Sequence, residues 1–231
     1  PEEFLASAEA TVHMRAMTQP QDLATMHDWF AFIARGEHTC ALGNSDTHGR
    51  NNGLGWLYNL LHVGTDQPAM VTEAMVTEAI RAQRVTVASG IVVRARVGGQ
   101  ERMGWRDVIA SNNQPVDLAV EVQAPAWVNA RTLAIFENGR PLALTPDGRG
   151  GYDARVATDA TGITVPLDMT APGRDGVVRL RATVHLRPTR DSFYVLVARG
   201  GSLAPVGTGD AFGYTNPIYI DVDGGMWEPP R

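Results

Sequence analysis

Two side chains suited to metal chemistry stand two residues apart in "ALGNSDTHGRNNG", residues 41–53: Asp46 and His48. In an extended chain, residues two apart project to the same side. This pair directly follows a short apolar run ending in Gly43. Both side chains can therefore enter a pocket beyond the carboxyl end of a strand, where ligand sites gather in α/β folds. A carboxylate with an imidazole is a common mixed ligand set for Zn, Mn or Fe. On spacing alone, a second reading stands beside the metal site: Asp46 caps a turn and His48 is a loop histidine. Arg50, two residues further on, has the charge to orient a substrate phosphate or carbonyl.

Positioning such a pair requires a scaffold. Residues 20–35, "PQDLATMHDWFAFIAR", carry Leu23, Met26, Phe30 and Ile33 at helical spacing, with Pro20 in the first turn and Gly36 as the stop. "HTCALGN" reads as a buried strand, "PAMVTEAMVTEAIRAQR" as a second helix containing MVTEA twice, and "VTVASG" as a further strand. A five-residue period fits no repeat architecture, so the duplication is local. Helix, strand, loop, helix, strand is an α/β order that predicts a parallel sheet.

Beyond residue 90 the period becomes two. "VDLAVEVQAP" alternates through Val116, Leu118, Val120 and Val122. "GVVRLRATVHLRP" sets Val178, Leu180, Ala182, Val184 and Leu186 against Arg179, Arg181, Thr183, His185 and Arg187. "RTLAIFENGRPLAL" predicts a hairpin turning at Asn138-Gly139. Short strands at close spacing predict an immunoglobulin-like antiparallel β-sandwich over 91–231, after an α/β part over 1–90.

Composition bounds the partners. The 231 residues are 44% hydrophobic with a formal net charge of −5, which gives no basic surplus for nucleic acid. No apolar run long enough to span a membrane occurs and no signal peptide is readable. The lone Cys40 reads as a small buried hydrophobe rather than a nucleophile.

"LGNSDTHG", with "DWFAFIARGE" ahead of it and "AIRAQRVTVASG" behind, resembles the carboxyl-terminal part of the polymerase-and-histidinol-phosphatase (PHP) superfamily, most of all its carbamate-hydrolysing branch. The terminal "FGYTNPIYIDVDG" is similar to the tail of a β-sandwich often attached to those barrels. The resemblance implies the last third of a distorted (β/α) barrel, with Asp46 and His48 as catalytic metal ligands and Arg50 toward substrate. It implies two or three divalent ions (Mn, Fe or Zn) and hydrolysis of a phosphoester, or of an ester or carbamate, through metal-bound hydroxide. The substrate would be a small molecule, and a periplasmic or extracellular home follows by analogy. The family's opening H-x-H is absent here, so the resemblance also implies a preceding barrel segment carrying the other ligands; the enzyme would be the intact protein and this chain alone would be inactive. The alternative is a non-catalytic β-sandwich that binds or adheres, with a degenerate α/β segment.

The remaining features read as structural. His27 falls on the wet side of the first helix, and His38 opens the strand before the site. His62 and His185 also read as structural, and His13 has no ligand context. "DVDGG" at 221–225 reads as a polar turn, because the rest of a calcium loop's spacing is missing. Gly43, Gly49, Gly53 and Gly55 lack the G-x-G-x-x-G order of a nucleotide site.

Overall fold

The computed structural model describes residues 20–43, 57–157, 165–167, 172–202 and 210–230. The first helix, α1 (Pro20–Ala34), forms where the spacing predicts it, and Gly36 ends it at φ +88°. Its buried stripe is Met26, Trp29, Phe30 and Ile33. Burial of each such side chain is worth roughly 1.5–3 kcal/mol, which fixes the helix on the surface it covers. The predicted second helix is shorter than its sequence suggests. A single 3-10 turn at Pro68–Met70 precedes α2 (Glu73–Arg81), which starts where the Thr72 hydroxyl accepts from the Met75 amide at 3.3 Å.

The described strands in chain order are β1 (Tyr58–Leu61), β2 (Val85–Ser89), β3 (Val92–Val97), β4 (Gln100–Glu101), β5 (Ile109–Ala110), β6 (Val116–Pro125), β7 (Ala130–Glu137), β8 (Arg140–Pro146), β9 (Gly151–Val156), β10 (Val165–Pro166), β11 (Val177–Leu186), β12 (Ser192–Ser202), β13 (Asp210–Thr215) and β14 (Ile218–Asp221). Eleven of them follow one hydrogen-bonded path, β1-β2-β13-β12-β7-β8-β9-β11-β6-β3-β4. The pairs β9/β11 and β5/β14 are parallel and the others antiparallel, so the sheet is mixed. It curls until β3 lies against β2 and β13, and the core fills the space enclosed.

This corrects the expected fold class. The described chain is mostly strand. It is not a portion of a (β/α) barrel followed by a purely antiparallel immunoglobulin-like sandwich. β1 and β2 pair antiparallel, through Tyr58↔Ala88 to Leu61↔Val85, despite the helix between them. β2 then pairs antiparallel with β13 from the far end of the sequence. Helix α1 packs on that same sheet, with Trp29 6.3 Å from Tyr214 and Phe30 5.4 Å from Phe136 between ring centroids. The alternation of helix and strand is a local pattern. It does not specify which distant strand completes the ladder.

Short-range expectations fare better. Asn138 and Gly139 take φ +51° and +78°, the two left-handed residues of a tight hairpin turn, and Glu137 pairs with Arg140 across it. The ten-residue register of β6 with β11 buries Leu118, Val120 and Val122 with Ala182, Val184 and Leu186. On the outer face Glu121 takes a hydrogen bond from Arg181 at 3.0 Å and lies 3.5 Å from Arg96. His185 spans Asp117 at 2.7 Å and Asp147 at 3.2 Å.

Of the expected strand "HTCALGN", the described residues 38–43 belong to no strand, and side chains rather than a ladder meet the Thr39 carbonyl and both backbone groups of Ala41. Asn216, fully buried, accepts from the Ala41 amide at 2.8 Å and donates to the Ala41 and Val85 carbonyls at 2.9 and 2.7 Å. Trp29 and Gln83 both donate to the Thr39 carbonyl, at 3.0 and 2.8 Å. Deleting the Asn216 side-chain amide orphans the buried Ala41 N–H and leaves the Ala41 carbonyl only the Cys40 thiol, while the Val85 carbonyl keeps the Asn216 backbone amide at 3.3 Å. Each of the two lost Ala41 bonds costs about 1–3 kcal/mol. We therefore expect Asn216→Ala to lower the free energy of urea unfolding by about 2 kcal/mol or more; an unchanged midpoint and slope would refute the clamp's role.

Candidate functional site

Asp46, His48 and Arg50 lie outside the described residues, as does His13. What is described is the root from which their segment departs. The Asn59 side chain on β1 accepts from the Gly43 amide and donates to the Gly43 carbonyl, both at 2.7 Å. Gly43 is buried, and a Cβ added there would collide with Val87 Cγ1 on β2 and press on Leu57. The close approach demands glycine at that position. The chain before and after residues 44–56 is thus joined at one point and seated on β2.

A cleft of about 880 Å³ opens on the other side of β2. β1, the loop after it, α2, β2, β3, β4 and Asp107 enclose it. Strand alternation explains the division: Val87 faces Gly43, and Thr86, its neighbour, lines the cleft. Arg84 grips Asp107 through two bonds, Nε at 2.7 Å and Nη2 at 3.0 Å. Arg94 Nε lies 2.7 Å from Glu101 Oε1. His62 sits between them, with Nδ1 3.0 Å from Glu101 Oε2 and Nε2 3.4 Å from the Thr86 hydroxyl oxygen. Leu60, Met75, Val92 and Met103 supply apolar lining.

Burial pushes the His62 pKa down. The Glu101 carboxylate opposes this, and the Arg94 and Arg84 guanidiniums reinforce it. A neutral imidazole that donates Nδ1–H to a carboxylate presents Nε2 as the acceptor. His62 is the residue that the sequence reading passed over. Its partner is 39 positions downstream on β4, and no spacing rule connects "NLLHVG" with "GGQERMG".

Two weaker candidates resolve into structure. Asp191, Asp221 and Asp223 come within 4.8 Å of one another. Each carboxylate already accepts from backbone: Asp191 from Val222 and Glu228, Asp221 from Gly224, and Asp223 from Gly225. That is the polar turn expected of "DVDGG". Cys40 is buried, and desolvation raises its thiol far above the ordinary range, so it stays protonated and inert. Of the histidines expected to be structural, His27 is exposed on α1, and His38 stacks on Trp105 with ring centroids 4.7 Å apart.

The sign of the His62 shift has a consequence for stability. A histidine whose folded pKa is depressed stabilises the fold above its ordinary value of about 6.5, and that contribution is lost as pH falls through the folded pKa. We expect the His62 ring resonances to titrate below pH 6.5 in the folded chain. Stability should fall on acidification from that point, with a shallower slope in His62→Gln; titration above 6.5 would contradict the assignment.

Compared with known proteins, the chain matches no family model and no curated sequence.

Proposed function

We propose that this chain contributes to a metal-dependent hydrolase of phosphoester, ester or carbamate bonds, with Asp46 and His48 as metal ligands and Arg50 toward the substrate. The observation that supports the reading is the pair of hydrogen bonds between the Asn59 side chain and the Gly43 backbone. Metal ligands need a rigid second layer to hold them within a fraction of an ångström of their working positions. Here the backbone root of the D-x-H segment is fixed by two short hydrogen bonds, and Asn216 fixes Ala41 two residues earlier. The donor set, one carboxylate and one imidazole, suits Mn, Fe or Zn. A divalent ion would supply Lewis acidity and lower the pKa of a water. Asp46 would offset part of the cation's charge, and Arg50 would orient the substrate oxygen.

Elemental analysis of the full-length protein, and of its Asp46→Asn and His48→Ala variants, tests this. Bound Mn, Fe or Zn lost in both variants, with hydrolysis of p-nitrophenyl phosphate or acetate that tracks metal content, is the expected result. Metal-independent turnover, or metal retained in both variants, would reject the reading. Absence of metal and of turnover would favour the alternative of a β-rich binding module.

A further inference from the structure

We infer that Thr86, His62 and Glu101 form a nucleophile, base and orienter at the floor of the 880 Å³ cleft, able to transfer the acyl group of a small ester to water. The inference is independent of the metal reading, since it uses none of Asp46, His48 or Arg50. It also sits on the opposite face of β2 from Gly43.

The three roles follow from contacts. Glu101 Oε2 lies 3.0 Å from His62 Nδ1, which fixes the ring and selects the tautomer with a free lone pair on Nε2. That lone pair faces the Thr86 hydroxyl at 3.4 Å. In an empty cleft such a contact is commonly longer than in a substrate complex. Glu101 is held in turn by Arg94 Nε at 2.7 Å. Burial keeps the imidazole neutral, as a base must be before it accepts a proton. All four residues line the same cleft. The arrangement is recognised by geometry and roles rather than by order in the chain.

The chemistry balances without a cofactor. Thr86 Oγ attacks the carbonyl carbon while its proton passes to His62 Nε2. The bond from that carbon to the alkoxy oxygen breaks, and the leaving alcohol takes the proton from Nε2. A water then gives a proton to Nε2 and attacks the acyl-threonine, releasing the carboxylic acid and restoring Thr86. Charge develops on the carbonyl oxygen in both halves. Arg84 commits Nε and Nη2 to Asp107, whereas Arg94 meets Glu101 through Nε, and its terminal nitrogens, with no partner among the described residues, provide the donors for it. Thr86 is only 2% exposed, so the acyl group must be slim enough to reach the cleft floor. Met75, Val92 and Met103 make an apolar seat for a short chain.

The test incubates the intact chain with p-nitrophenyl butyrate in the presence of EDTA, following p-nitrophenol release and the mass of the protein. A burst, one butyryl group mapped to the peptide containing Thr86, and loss of turnover by about 100-fold or more in Thr86→Val and His62→Gln are expected. Thr86→Val is nearly isosteric, and unchanged circular dichroism and Tm separate lost chemistry from lost folding. Glu101→Gln, a positioning change, should lower the rate and move the pH profile, because Glu101 is the one carboxylate facing His62, against Arg94 and Arg84. In wild type the rate should rise through a pKa below 6.5. No labelling of wild type, labelling elsewhere, or an unaltered rate in Thr86→Val overturns the inference. Turnover seen only when EDTA is omitted overturns it too, while leaving the metal reading standing.

Discussion

The structure depends on side-chain amides replacing a missing strand ladder. Residues 39–43 join no strand and are largely buried, where unpaired backbone groups are costly. Asn216 pairs both groups of Ala41 and also reaches the Val85 carbonyl, binding together segments that are distant in sequence. Gln83 donates its side-chain amide to the Thr39 carbonyl, and its Oε1 accepts from the Tyr219 hydroxyl at 2.9 Å. Gln83 is fully buried and adopts φ +59°, a conformation unusual for glutamine that ends α2 and turns the amide inward. A segment secured in this way can sit on a sheet without extending it.

That arrangement makes β2 the central element. All five of its residues are buried, with Val87 facing Gly43 on one side and Thr86 lining the cleft on the other. The period of two then assigns opposite duties to neighbours. Val87 packs against Gly43, the root of the D-x-H segment, and Thr86 meets His62. Gly43 and the Thr86–His62 contact are therefore separated by the thickness of one strand. A change at either residue would be felt by both faces through the same backbone.

Charge is distributed with similar economy. In the cleft, Arg84 and Arg94 each hold a carboxylate, and Glu78 is paired with Arg106. The neutral His62 is therefore the group in the cleft most readily altered near physiological pH. Acidic residues at the end of the chain are committed to backbone amides, and the thiol of Cys40 is shut away. The groups able to do chemistry in the cleft come from β2, the residue that follows β1, and β4.

Local chemistry was legible in the sequence. The stripe through Met26, Phe30 and Ile33, the stop at Gly36, the turn at Asn138-Gly139 and the alternation along β6 and β11 depend on residues a few positions apart. Steric and solvation preferences act at that range whatever the rest of the chain does. The D-x-H pair was legible for the same reason, as residue types and spacing. Tertiary structure alone decided that β2 would pair antiparallel with β1 and β13, and that α1 would cover that same sheet. It also decided that Asn216 would stand in for a strand, and that Glu101 would orient His62. Those contacts join residues tens to well over a hundred positions apart, selected by which buried groups could be satisfied together once the sheet had curled, and no local period encodes that choice.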